Sequence, residues 1–295
     1  KLIGDKSLSK RDFKRVAAPL SKFGAKFKLR NNYCLPLTIK GSKNINPIRY
    51  NETRGSAQCK SSVMLGAIRA NGTTYIKAKK SRNHTEKIME NLNLPIQVIK
   101  KKNYDKIKIK KIKKIKNLNY NIPSDISSSA FFIVLTALSE KSELTIRNVN
   151  INPSRIGIIT ILKKMGVKIF FQNKKIYKGE KIADIFTSSP KNIKPINCPV
   201  NLNSSAIDEF LVIFLTVAAK ADGVSYFKNL SELNQKESPR LKWAEKILKM
   251  MGIKTIATND SIKIFGNPNL KVNKKIRLVK QNHKHIFVGS AALPC

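Results

Sequence analysis

Gly157-Ile158-Ile159-Thr160-Ile161-Leu162-Lys163-Lys164-Met165, followed at once by Gly166-Val167-Lys168-Ile169, decides how this chain is read. The first part has apolar residues at helical spacing and ends in a Lys/Met-rich turn. Glycine after a last helical turn is the usual C-cap, because it takes positive φ without a Cβ clash. A short strand-like run then begins. The same order recurs as Val16–Phe23 into Gly24-Ala25-Lys26-Phe27, and as Trp243–Met251 into Gly252-Ile253-Lys254. A weaker copy runs from Thr85–Asn91 into Leu94-Pro95-Ile96-Gln97-Val98. Gly166 and Gly252 lie 86 residues apart. That interval is too long for a solenoid repeat and suits a β-α-β-α-β-β unit.

A second helix precedes these. Ala130–Ser139 and Phe210–Ala219 are apolar nearly all round, which predicts helices buried on every side. Strand-like runs follow them at Glu143–Asn148 and Gly223–Lys228, and Ser62–Ile68 before Gly72-Thr73-Thr74-Tyr75-Ile76 is a third example. The chain is therefore read as α/β, with about four copies of one unit counting a partial copy at the start. Residues 1–120 form most of one domain and 121–295 most of a second.

Length and charge set the outer bounds. The 295 residues weigh 33.2 kDa and carry a formal charge of +40, from 58 Lys and Arg against 18 Asp and Glu. A hydrophobic content of 41% is enough for a core. The apolar runs of about ten residues fall short of the ~20 that span a bilayer, so an integral membrane protein is excluded. Lys1-Leu2-Ile3-Gly4-Asp5 has no apolar signal region and no initiator Met. The expectation is a chain that begins inside a longer gene product. Only 11 of the 58 basic residues are Arg, whereas base-edge and bidentate phosphate recognition favour Arg. Nucleic-acid binding is therefore not the main reading. Val98–Lys116 reads as a strand with isoleucines inside and lysines in water, since Ile107 and Ile109 alternate with Lys. Cys34, Cys59, Cys198 and Cys295 are widely spaced, which fits reduced thiols in a cytoplasmic protein.

Several motifs stand in a fixed order. Gly4-Asp5-Lys6-Ser7-Leu8-Ser9-Lys10-Arg11 comes first, then Ser56-Ala57-Gln58-Cys59-Lys60-Ser61 and Ser81-Arg82-Asn83-His84-Thr85-Glu86. Pro123-Ser124-Asp125-Ile126-Ser127-Ser128 and Asn152-Pro153-Ser154-Arg155-Ile156-Gly157 follow. Ile207-Asp208-Glu209 and Lys236-Glu237-Ser238-Pro239-Arg240 come last. This series resembles the enolpyruvylshikimate-phosphate synthases over almost the whole chain. The related transferases that act on UDP-N-acetylglucosamine carry a Gly-Gly-Cys loop, where this chain has Gly4-Asp5-Lys6. The family's opening Lys-Ser phosphate motif, its Gly-rich loop and its final segment are not recognisable here.

The resemblance implies a two-domain enolpyruvyl transferase fold of repeated β-α-β-α-β-β units with buried helices, an inside-out α/β barrel. It places the active site in the cleft between domains. It implies transfer of the enolpyruvyl group from phosphoenolpyruvate to the 5-hydroxyl of shikimate 3-phosphate by addition and elimination of phosphate, with no metal and no cofactor. The implied protein is a cytoplasmic monomer without membrane partners. By the same resemblance Arg11, Gln58, Arg240 and Lys284 contact phosphoenolpyruvate. Ser56, Ala57, Gln58, Arg82, Asp208 and Lys236 contact shikimate 3-phosphate. Asp208 faces the attacking hydroxyl, and Glu237 carries the proton at the methylene carbon. The chemistry is consistent, because two polyanions need convergent Arg and Lys, and the proton transfers need carboxylates.

On the residues alone the alternatives stay open. Asp208 also fits a charge at the start of an apolar helix, Ser56 an N-cap and Arg82 a solvated side chain. His84 reads as scaffold, and His283 with His285 is a weak metal pair. Pro239 stands where the family has an acidic residue, and the family's Asp-His-Arg reads Asn282-His283-Lys284. An inactive relative or fragment is the alternative, and a basic nucleic-acid-binding protein the more distant one.

Overall fold

The computed structural model describes residues 1–6, 8–30, 33–235 and 239–271. Within them the helix–glycine–strand pattern becomes the framework. Helix α1 (Lys14–Lys22) leads into an antiparallel pair, β1 (Lys26–Arg30) and β2 (Cys34–Lys40). A complete β-α-β-α-β-β unit follows: β3 (Arg49–Glu52), α2 (Ala57–Ala67), β4 (Thr73–Lys79), α3 (His84–Asn91), β5 (Ile96–Lys100) and β6 (Tyr104–Lys110). Its sheet order is β3-β4-β6-β5. Strands β3 and β4 are parallel, as the crossover through α2 requires, and the other pairs are antiparallel.

The second half repeats this plan twice. Helix α4 (Ile126–Leu138), β7 (Glu143–Asn150), α5 (Gly157–Lys164), β8 (Lys168–Tyr177) and β9 (Glu180–Ser188) give a sheet ordered β7-β9-β8. Helix α6 (Asn203–Ala206), α7 (Phe210–Ile213), β10 (Val224–Phe227), α8 (Arg240–Met250), β11 (Thr255–Ala257) and β12 (Ile262–Phe265) give β10-β12-β11. In both copies the opening strand shrinks to one parallel bridge, Ser124 to Val149 and Asn197 to Tyr226. The chain divides into two compact units, Lys1–Tyr120 and Asn121–Cys295. Each has its own core. In the first, Val63, Met64 and Ala67 of α2 pack on Ile76, Ile107 and Ile109. In the second, Phe210 stacks on Phe214 and both meet Phe227 edge-on, at centroid distances of 4.8–5.8 Å.

The caps form where glycine demanded them. Gly166 (φ 96°) and Gly252 (φ 80°) lie in the left-handed region just past α5 and α8. Asn93 (φ 53°) serves the weaker copy after α3, since asparagine also tolerates that region. In β6 the alternation holds: Ile107 and Ile109 are buried, while Lys106 and Lys110 are exposed. The segment 98–116 is more than one strand, however. It takes in the end of β5 and a turn before β6.

Two expectations change. Helix α4 is not covered on every side among the described residues: Phe131 is 60% and Phe132 59% exposed, and Leu135 is exposed too. The opposite face, with Ile126, Ala130, Ile133 and Ala137, is buried. The run Phe210–Ala219 is well buried but is not one regular helix. After α7 it loosens into a π-turn, Phe214–Ala218, where the Thr216 hydroxyl donates to the Val212 carbonyl. Among the described residues no single helix is long and apolar enough to cross a membrane.

Candidate active site

In the first unit the site residues sit at the beginnings of α2 and α3. The Glu52 carboxylate accepts from the backbone N–H groups of Arg54 (3.0 Å) and Gly55 (2.7 Å), which shapes the turn before α2. Ser56 then caps α2, its hydroxyl accepting from the Cys59 N–H at 3.3 Å. The capping alternative for Ser56 is therefore realised, and it puts Ser56, Ala57 and Gln58 at the positive end of the helix dipole. Gln58 is exposed, while Ser56 and Ala57 are half-buried. Arg82 lies between β4 and α3, also half-buried. Lys60, one turn along α2, donates to the Arg82 carbonyl at 2.8 Å and pairs with Glu86 at 2.6 Å. Arg11 is exposed in the bend before α1.

In the second unit the site grows from the N-terminus of α4. Asp125 caps that helix, accepting from the Ser128 N–H at 3.0 Å. The Asn152 side chain accepts from the Ser154 N–H (3.0 Å) and hydroxyl (2.9 Å), folding the turn that presents Arg155. Arg155 then reaches back to α4. Its Nη1 lies 2.9 Å from Asp125 Oδ1, and its Nη2 donates to the Ser127 hydroxyl at 2.6 Å. Ser127 in turn donates to the Glu209 carboxylate. Burial pushes the Asp125 carboxyl up. The Ser128 hydrogen bonds and the Arg155 guanidinium outweigh it and hold the group below the usual carboxylate range.

Asp208 lies in the turn between α6 and α7, beside Arg240, the first residue of α8. Arg240 Nη1 and Asp208 Oδ1 are 3.7 Å apart, with side chains 26% and 28% exposed. Glu209 is buried and engaged by Ser127. Burial lowers the Arg240 guanidinium pKa, and the nearby Glu209 charge offsets part of that shift. Pro239 precedes α8 and is compatible with it: its carbonyl accepts the first helical bond, from Trp243 at 3.1 Å, and no N–H is needed there.

The described structure thus brings Asp208 and Arg240 together within one unit, and Ser56, Ala57, Gln58 and Arg82 near one another in sequence-adjacent elements of the other. Lys236, Glu237 and Lys284 lie outside the described residues, as do Asn282, His283 and His285. Asp125, Ser127, Arg155 and Glu209 were not singled out as site residues from sequence. The available signal was their place inside the ordered motifs. Chemically, the patch offers a partly exposed carboxylate next to a guanidinium, backed by a half-buried polar network that fixes the helix starts.

Comparison with known proteins shows the family and the fold. Residues 1–275 match the family model of EPSP synthase (3-phosphoshikimate 1-carboxyvinyltransferase). The chain is similar to the 3-phosphoshikimate 1-carboxyvinyltransferase of Caldicellulosiruptor saccharolyticus, at 38% identity over 100% of this chain and 67% of that protein. It is similar to that of Ruthia magnifica at 40% identity, covering 99% of this chain and 65% of the relative. The solved EPSP synthase of Acinetobacter baumannii superposes with a TM-score of 0.77 at 37% identity, over 90% of this chain and 59% of that one. The enolpyruvyl transferase NikO from Streptomyces tendae shares the fold at a TM-score of 0.62 and 14% identity. The chain therefore spans about two thirds or less of the length of these relatives.

Proposed function

The chain belongs to the EPSP synthase family, and from that premise we propose that it acts in transfer of the enolpyruvyl group from phosphoenolpyruvate to the 5-hydroxyl of shikimate 3-phosphate. The observation that carries this reading is the pairing of Asp208 with Arg240, a proton acceptor and an anion clamp on one patch. In the proposed reaction the methylene carbon of phosphoenolpyruvate gains a proton and C2 is attacked by the hydroxyl oxygen. The hydroxyl proton passes to Asp208. The tetrahedral adduct then loses a methyl proton and expels phosphate, which regenerates the double bond.

Arg240 orients phosphoenolpyruvate through its planar fork, with Arg11, Gln58 and Lys284 as further contacts. Ser56, Ala57, Gln58, Arg82 and Lys236 hold shikimate 3-phosphate. Glu237 exchanges the proton at the methylene carbon. Glu209 is a poor candidate for that step, because it is buried and held by Ser127. The buried thiols of Cys59 and Cys198 form no disulfide among the described residues, which suits the reducing cytoplasm. The protein is read as a monomer there.

The test is phosphate release in the presence of both substrates. Asp208→Asn and Glu237→Gln each lower kcat by about 10²–10⁴-fold, the usual weight of a positioned acid or base. Turnover unchanged by both substitutions removes the assignment.

A further inference from the structure

Lys60 is a charged side chain that is fully enclosed, and its partner Glu86 is 3% exposed. Burying an ammonium and a carboxylate costs several kcal/mol, and apolar residues of the same size are often as stable or more so. Stability alone is therefore a weak reason for this pair. The pair's geometry offers another. The Lys60 ammonium lies 2.6 Å from Glu86 Oε1 and donates at 2.8 Å to the carbonyl of Arg82. Its own backbone N–H donates to the Ser56 carbonyl at 3.1 Å. One residue thus joins the cap of α2 to the peptide that leads into α3. The next residue repeats the link, since the hydroxyls of Ser61 and Thr85 lie 2.7 Å apart.

We propose that Lys60 and Glu86 are positioning residues for shikimate 3-phosphate, fixing the Arg82 backbone against the Ser56–Gln58 turn. This rests on the reading of Ser56, Gln58 and Arg82 as its binding residues. The buried carboxylate anchors the ammonium, and the ammonium anchors the Arg82 carbonyl. An apolar pair could fill the same space but could not hold that carbonyl. The Arg82 side chain would then sample more positions before meeting the ligand, and affinity would fall through lost preorganisation.

The test uses Lys60→Met and the double variant Lys60→Met/Glu86→Leu, with calorimetric binding of shikimate 3-phosphate, thermal melting and steady-state kinetics. Lys60→Met is expected to melt lower, because it leaves Glu86 buried without its ion-pair partner. The double variant recovers the melting temperature. Its shikimate 3-phosphate affinity stays about tenfold weaker, while KM for phosphoenolpyruvate and kcat stay near wild type. A double variant with wild-type affinity, or with equal losses for both substrates, overturns the proposal and leaves the functional reading standing. A wild-type chain that does not bind shikimate 3-phosphate removes the functional reading and this inference with it. If the double variant does not melt cooperatively, Glu86→Gln carries the same comparison: selective loss of shikimate 3-phosphate binding supports the proposal, and no loss or a uniform loss overturns it.

Discussion

Asp208 and Glu209 are neighbours with opposite circumstances, and the proposed roles follow that difference. Glu209 is enclosed and takes the Ser127 hydroxyl, whereas Asp208 keeps 28% of its side chain in solvent beside Arg240. The guanidinium matters through its planar fork, so Arg240→Lys preserves charge but loses bidentate geometry. We expect it to raise KM for phosphoenolpyruvate by about tenfold or more, as measured by initial rates. Asp125 has a different duty. Removing this cap as Asp125→Ala costs about 1 kcal/mol near neutral pH, read by urea unfolding. Its carboxyl lies below the ordinary range when folded. The stability it adds is therefore complete above the unfolded pKa of about 3.9 and fades as pH falls through the lower folded value. The difference between wild type and Asp125→Ala should shrink in that acid range. Asp208 and Arg240, which the structure puts side by side, could be singled out in the sequence because each sits in a short motif. The Ser127–Arg155–Glu209 network was not, because its members are 28 and 82 residues apart and no local pattern joins them.

At the scale of elements, the repeated helix ends carry the fold. Gly252 has φ 80° and open space where a Cβ would stand. Gly252→Ala therefore meets backbone strain alone, and should cost about 1 kcal/mol in chemical unfolding. Strand β6 separates the two faces of its alternating pattern. Ile109→Ala should cost about 2–4 kcal/mol, as a fully buried branched side chain. Lys110→Gln on the solvent face should stay within about 0.5 kcal/mol. The glycines, the Ile–Lys alternation and the apolar runs made these elements readable. The opening strands of the later units were not readable, since one bridge each leaves no periodicity. The π-turn was hidden for a similar reason: Thr216 inside an apolar run does not announce which carbonyl it will take. The exposed face of α4 escaped because composition gives the apolar circumference of a helix but not what lies against it.

For the whole molecule, the charge of +40 has two parts. Part of it, among the described residues, is lysine on exposed strand and helix faces, as Lys106 and Lys110 illustrate. A small part, Arg82 and Arg240 with Arg11, belongs to motifs suited to phosphorylated anions. The three-strand order of β4-β6-β5 recurs as β7-β9-β8 and β10-β12-β11, built over two separate cores, and Arg82 and Arg240 lie at helix starts beside these sheets. The central claim is enolpyruvyl transfer, and carbon-13 NMR tests it most directly. The chain is incubated with shikimate 3-phosphate and phosphoenolpyruvate labelled at C2. The account predicts that the labelled carbon moves into an enol ether of the shikimate ligand, with one inorganic phosphate released per transfer and only when both substrates are present. Label remaining in phosphoenolpyruvate, or appearing as pyruvate without an ether product, contradicts it.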